Sequence, residues 1–241
     1  MKVYAHRGAS AQYPENTMLA FKKAVEMGVD GIETDVHLSR DGQLVLCHDE
    51  TIDGTTDRKG WIQDLTYDEL LRADAGCRKD ARFAGQRIPL LRDLLNLGRE
   101  SGIELNLELK NYVLDYPELE RRVIEEIRRY YQPDKVLLSS FRHLSMVRAK
   151  RISPETPTGL LYSCDFYNVA DYAAACGVNA LNPDYTMLSE ETVRDAKAAG
   201  LAINVWTVDD PAEMLRMQAM GVDVLMTNDP MKALRILGHK E

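Results

Sequence analysis

The sequence predicts an α/β protein folded as a (β/α)8 (TIM) barrel, with an extra antiparallel hairpin strand and a small insertion after it. Three observations carry this expectation. Short apolar strands recur along the chain, helical stretches before five of them end in glycine, and 241 residues accommodate eight strand–helix units. A doubly wound open sheet fits less well, because no GxGxxG turn follows the first strand.

The parallel strands are expected at 3–6, 31–36, 103–109, 136–140, 158–162, 178–182, 202–207 and 223–227, with a last helix near 231–237. Gly28, Gly102, Gly177, Gly200 and Gly221 mark the preceding helix ends, where glycine enters the left-handed region without a Cβ clash. Helix starts are legible too. Asp209 and Asp210 precede Pro211, a favoured first helical residue, and Ser189 can cap a helix running to Ala199.

One segment breaks the rhythm. Residues 43–47 read as a strand, yet only Leu38 to Gly42 separates them from the strand at 31–36, too little for a parallel crossover. Asp41-Gly42 is a hairpin signal, so 43–47 is expected antiparallel to 31–36. A turn centred between residues 40 and 41 sets His48 across from Glu33. Residues 50–87 carry no clear periodicity beyond one short helix near 66–73, and the regular pattern resumes at Ile88. Residues 1–241 therefore read as one barrel domain with an insertion at about 50–87.

Composition narrows the class. Thirty Lys and Arg against 38 Asp and Glu give a formal net charge of −8, and 45% of residues are hydrophobic. That excludes a disordered tail, a collagen-like repeat and a disulfide scaffold, and an acidic balance argues against a nucleic-acid binder. No apolar run approaches the roughly 18–20 residues of a membrane span, and no apolar stretch follows Lys2 to make a signal peptide. Cys47, Cys77, Cys164 and Cys176 show no zinc spacing and read as reduced thiols of a cytoplasmic protein. The helix at 118–130 balances Arg121, Arg122, Arg128 and Arg129 with Glu118, Glu120, Glu125 and Glu126, as a solvated face does, so no stable membrane association is expected.

Active sites of such barrels lie at the C-terminal ends of the strands. His6-Arg7 closes the first strand, and His48-Asp49 closes the hairpin return. Glu33 and Asp35 share one parity of the second strand; Asn106, Glu108 and Lys110 share one parity of the third. Trp206-Thr207 ends the seventh. Each residue alone has a structural explanation, and His37, His143 and His239 are left with it. Together they form a set. Three converging carboxylates repel unless a cation sits among them, and hard oxygen donors suit Ca²⁺ or Mg²⁺. Two histidines beside them suit a general acid and a general base. Arg7 and Lys110 supply charge for an anionic substrate. The combination points to phosphoryl transfer.

His6-Arg7-Gly8, Glu15-Asn16-Thr17, Glu33-Thr34-Asp35-Val36, Asp41-Gly42 and His48-Asp49 strongly resemble the glycerophosphodiester phosphodiesterase family. The likeness continues through Thr66 to Leu70, Ile88-Pro89-Leu90, Glu108-Leu109-Lys110, Trp206-Thr207-Val208 and Thr227-Asn228-Asp229-Pro230. The resemblance implies hydrolysis of a small-molecule glycerophosphodiester to an alcohol and glycerol 3-phosphate. It implies Glu33, Asp35 and Glu108 as ligands of a divalent cation, His6 and His48 as the acid–base pair, and Arg7 and Lys110 on the phosphate. Trp206 is read as an apolar wall against the glycerol carbons. One departure concerns the head group. Family members often carry Arg before the Thr-Thr pair where this chain has Gly54, and Arg58 is the nearby candidate to replace it. Two other readings keep the barrel: a phosphodiesterase acting on another phospholipid-derived diester, and a non-catalytic phosphate-binding barrel. The outer helices serve monomers and dimers alike, so no oligomeric state is read from them.

Overall fold

The structure, a computed structural model, describes residues 1–239. In chain order it runs β1 (Lys2–His6), α1 (Met18–Glu26), β2 (Gly31–Leu38), β3 (Leu44–Leu46), α2 (Tyr67–Leu70), α3 (Leu91–Ser101), β4 (Glu104–Leu109), α4 (Leu119–Tyr130) and β5 (Val136–Ser140). It continues with α5 (His143–Ile152), β6 (Thr158–Tyr162), α6 (Val169–Cys176), β7 (Ala180–Pro183), α7 (Glu190–Ala198), β8 (Ala202–Val205), α8 (Pro211–Met220), β9 (Val224–Thr227) and α9 (Pro230–Ile236). Strands pair in the order β1-β9-β8-β7-β6-β5-β4-β2, and β1 also pairs with β2. Eight parallel strands thus close a TIM barrel, and β3 lies outside the ring, antiparallel to β2.

Local chemistry explains the boundaries. Thr17 caps α1 by accepting from Ala20 N at 3.2 Å, and Asp210 caps α8 by accepting from Ala212 N at 2.8 Å. The five helix-ending glycines take φ between 69° and 80°. Helix α3 shows the packing logic. Leu91, Leu94 and Leu95 recur at helical spacing, are fully buried and join the main core. Each such side chain contributes roughly 1.5–3 kcal/mol by leaving water. On the strands, Val3, Ala5, Ile32, Val36, Leu105, Leu107 and Leu109 pack outward into that core, so the alternate residues point into the barrel.

The inward residues are polar beneath the mouth. Asn106 donates to Ser139 Oγ at 2.9 Å, Asn182 to Asn106 Oδ1 at 3.2 Å, and Asn204 to Asn182 Oδ1 at 3.3 Å. This amide ladder spans the ring just below the carboxylates. In the insertion, Ile52, Ile62, Leu70, Ala73 and Ala75 pack with Val45, Cys47, Ile88 and Leu90 as a second apolar cluster. Its packing partners are the outer strand and the start of α3.

Three expectations are corrected. The hairpin closes with Ser39 N–H donating to Gln43 O at 2.9 Å, and Leu38 pairs with Leu44. Gly42 sits at φ 80°, which makes a three-residue loop centred on Asp41, so in this register His48 faces Thr34 instead of Glu33. Strand β8 ends at Val205, two residues early, and Trp206 bridges instead to Asp184. The charged face of α4 is not wholly solvated. Glu120 is buried, and it accepts from Ser145 Oγ and from Arg148 NH2, both at 2.6 Å, tying α4 to α5.

Candidate active site

Barrel closure brings the expected residues together. Register pairs His6 with Glu33 across β1 and β2, and Asp35 with Glu108 across β2 and β4. Glu33, Asp35 and Glu108 are all buried, and one carboxylate oxygen from each lies within 4.8 Å of the others. A cavity of about 80 Å³ opens above them, lined by His6, Arg7, Glu33, His48, Asn106, Glu108, Phe141, Leu161, Trp206, Thr207 and Met226. One wall is charged and the other apolar. Lys110 is buried against the cluster, with Nζ 3.0 Å from Glu108 Oε1 and 3.6 Å from Asp35 Oδ1.

The carboxylates differ in their surroundings. Burial and then the charges of Asp35 and Glu108 push Glu33 well above the usual carboxylate range. Burial and Asp35 likewise raise Glu108, to about 7. Burial also acts on Asp35, but Lys110 and Arg7 outweigh it and hold that carboxyl below its ordinary value. Asn16 Nδ2 donates to Asp35 Oδ2 at 2.9 Å, and Thr34 Oγ1 donates to Asn16 Oδ1 at 2.6 Å, which fixes the amide. Lys110 alone does not neutralise three buried carboxylates. A hard divalent cation does, and this oxygen donor set fits one.

The histidines are held differently. His6 Nδ1 lies 2.7 Å from Asn228 Oδ1, whose own Nδ2 donates to Asp209 Oδ2 at 2.6 Å. Asp209 also accepts from Thr227 Oγ1 and Asn228 N. Because a carboxylate only accepts, Asn228 must present its carbonyl to His6, so Nδ1 carries the proton. His6 Nε2, the acceptor nitrogen of this tautomer, then lies 3.8 Å from Glu33 Oε2 and 3.5 Å from Thr207 Oγ1. Burial, followed by the Arg7 charge, lowers His6 to about 4, so it is neutral near pH 7. His48 lines the same cavity, and its Nδ1 sits 2.7 Å from Asp49 Oδ1.

Arg7 adopts φ 57°, the left-handed region that non-glycine residues seldom enter. That turn points its guanidinium at Glu15 Oε1, 3.0 Å from NH1, and at Asp35 Oδ2, 3.7 Å from Nε. Arg7 Nε is buried with no hydrogen-bond partner among the described residues, a donor available to an anion. Trp206 donates from Nε1 to Asn182 O at 2.8 Å and stands edge-on to Phe141, 5.7 Å between centroids.

Several residues of the site lie beyond strand parity. Asn16, Asp49, Phe141, Asp209 and Asn228 all sit in loops. Asn16, Asp49 and Asn228 lie inside the quoted motifs, which is the one signal that pointed to them. His37 Nε2 donates to His48 O at 3.3 Å, and its Nδ1 accepts from Tyr116 OH at 2.9 Å, under the hairpin. Arg58 is exposed, its Nε donates to Arg72 O at 3.0 Å, and it does not line the space over Gly54, which Arg78 and Lys79 flank.

A parallel barrel with this mouth belongs among the hydrolases that act on phosphate esters. The chain matches the Glycerophosphoryl diester phosphodiesterase family over residues 6–232. It is 40% identical over 228 residues to a glycerophosphodiester phosphodiesterase of Caldanaerobacter subterraneus subsp. tengcongensis, covering 95% of this chain and 94% of that one. A glycerophosphodiester phosphodiesterase of Bacillus altitudinis is 35% identical over 238 residues, covering 98% and 97%. An Oleispira antarctica phosphodiesterase solved with its product sn-glycerol-3-phosphate superposes with a TM-score of 0.91 at 30% identity, covering 99% of this chain and 97% of that chain. The chain belongs to the glycerophosphoryl diester phosphodiesterase family and is an enzyme of that kind.

Proposed function

We propose that the protein hydrolyses glycerophosphodiesters to an alcohol and sn-glycerol 3-phosphate by histidine acid–base catalysis at a carboxylate-held divalent cation. The observation that carries this reading is the pair of imidazoles on one cavity, each with Nδ1 taken by an oxygen acceptor. Each ring therefore has Nε2 as its reactive nitrogen, that of His6 lying 3.5 Å from Thr207 Oγ1. Glu33, Asp35 and Glu108 are the residues to hold the cation, with Ca²⁺ and Mg²⁺ the two that match their chemistry. Bound there, the ion supplies Lewis-acid polarisation of a phosphoryl oxygen.

His6 is the general base in this scheme, because Asn228 fixes the tautomer that accepts at Nε2. His48 is the acid that protonates the departing alkoxide, with Asp49 accepting from Nδ1 whether the ring is neutral or charged. Arg7 and Lys110 balance the phosphate charge, and the unpartnered Arg7 Nε donates to it. Trp206 and Phe141 cover the glycerol carbons and keep water off that wall. The cytoplasm is part of the proposal, since the four cysteines are free thiols. The substrate is a small free molecule, and no described helix is long and apolar enough to cross a membrane.

The test is release of glycerol 3-phosphate from glycerophosphocholine and glycerophosphoglycerol, with and without chelator. Product formation that stops with chelator supports the reading. A protein that binds these diesters without turnover overturns it in favour of a non-catalytic barrel.

A further inference from the structure

Next to the catalytic mouth lies a second cavity, of about 180 Å³, formed where the insertion meets the loop after β1. Ser10, Pro14 and Glu15 come from the barrel side; Gly54, Thr55, Ala75, Arg78 and Lys79 come from the insertion. Glu15, Thr55 and Ala75 also line a small cleft of about 10 Å³ that includes His48, so the recess lies beside the His48 side of the mouth. An alcohol protonated by His48 leaves on the side of the mouth nearest this recess.

The charge of the cavity is uneven. Glu15, the carboxylate among its lining residues, is engaged by Arg7 at 3.0 Å, and Asp49, beneath Gly54, is engaged by His48 Nδ1 at 2.7 Å. Lys79 uses one of its three donors on Ser10 O at 2.7 Å, and Arg78 uses Nε on Thr56 O. These bonds anchor both side chains while leaving most of their donors unused, since Arg carries five and Lys three. Gly54 keeps the floor open: a Cβ there stands 3.1 Å from Asp49 Oδ2, the carboxylate paired with His48. The result is a cationic recess beside the His48–Asp49 pair.

We propose that this recess is the leaving-alcohol subsite, and that Arg78 and Lys79 select glycerophosphodiesters whose alcohol bears a second anionic group, a phosphate or a carboxylate. The inference rests on the phosphodiesterase reading and adds the substrate class. In the reaction, the attacking oxygen bonds to phosphorus as His6 takes its proton, the bond from phosphorus to the alcohol oxygen breaks, and His48 gives a proton to that oxygen. The second anion meanwhile lies on the two cations. A positively charged alcohol such as choline meets repulsion in the same place.

The experiment compares kcat/KM for glycerophosphoglycerol bearing a terminal phosphate, glycerophosphoserine, glycerophosphoglycerol and glycerophosphocholine. The wild-type protein is measured beside R78Q, K79Q, the double variant and R78K. Both side chains are exposed, so each contributes roughly threefold and the pair about tenfold to the preference for the anionic alcohols over choline. The double variant loses that ratio through KM, and R78K retains most of it. The terminal-phosphate and serine arms separate phosphate from carboxylate recognition. A variant-free measurement accompanies these: raising salt from about 0.05 to 0.5 M shrinks the wild-type ratio, because exposed charges are screened. Hydrolysis of all four diesters with a ratio indifferent to both substitution and salt overturns the subsite alone. No hydrolysis of any diester by the wild type overturns the phosphodiesterase reading and the subsite with it.

Discussion

Asn228 Oδ1 stands 2.7 Å from His6 Nδ1, and this contact decides which ring nitrogen of His6 is free to accept a proton. The two residues are joined only by barrel closure, since β9 lies beside β1 in the ring. Asn228 is itself oriented by Asp209. Replacing Asn228 with Ala frees the ring to rotate and to change tautomer. The expected result is a fall in kcat of about 10–100-fold with KM little changed, smaller than loss of the base itself. Asp209→Asn, which allows the Asn228 amide to flip, is expected to act in the same direction. Steady-state kinetics with the pH profile of kcat separates this from a loss of fold.

Removing either imidazole is more severe. His6→Ala and His48→Ala are each expected to lower kcat by about 10²–10⁴-fold. Undiminished turnover in either variant excludes that ring as the acid or the base.

The carboxylate cluster makes a prediction that does not depend on activity. Added Ca²⁺ or Mg²⁺ is expected to raise the Tm of the chelator-treated protein, because a ligand that binds only the folded state stabilises it. Glu33→Ala combined with Asp35→Ala abolishes both that shift and the recovery of turnover. A metal-free preparation with full activity excludes the cation from the reaction.

Trp206 offers surface, not protons. Its indole N–H is occupied by Asn182 O, and its ring stands beside Phe141 on the apolar wall. Trp206→Ala is therefore expected to raise KM more than it lowers kcat. The opposite split places the indole against the reacting atoms.

Gly8 follows Arg7 at φ 80°, and a Cβ there lies 2.8 Å from the Ala20 backbone carbon of α1. Neither the conformation nor the space admits a side chain. Gly8→Ala is expected to destabilise the fold by about 1–3 kcal/mol, measured by denaturant unfolding, and to lower kcat by displacing Arg7. Unchanged stability means that α1 can move away from the turn.

The sequence by itself determined the eight-strand alternation, the helix ends and the polar parity of β2 and β4. These depend on local rules: glycine at a left-handed helix end, and side chains that alternate every second residue. Glu33 with Asp35, and Glu108 with Lys110, were legible for that reason, as were His6 and His48 at strand ends. The order of motifs then pointed to the family. Only the tertiary structure decided how those strands meet. Ring closure sets His6 against Glu33 and Asp35 against Glu108, and interstrand register depends on partners far away in the chain. A left-handed Gly42 moved the hairpin by half a step, so His48 opposes Thr34, a shift that Asp41-Gly42 alone does not reveal. Loops carry no periodicity, so Asn16, Asp209, Asn228 and the Arg78–Lys79 wall acquire their places only when the barrel closes and the insertion packs against the outer strand and the loop after β1.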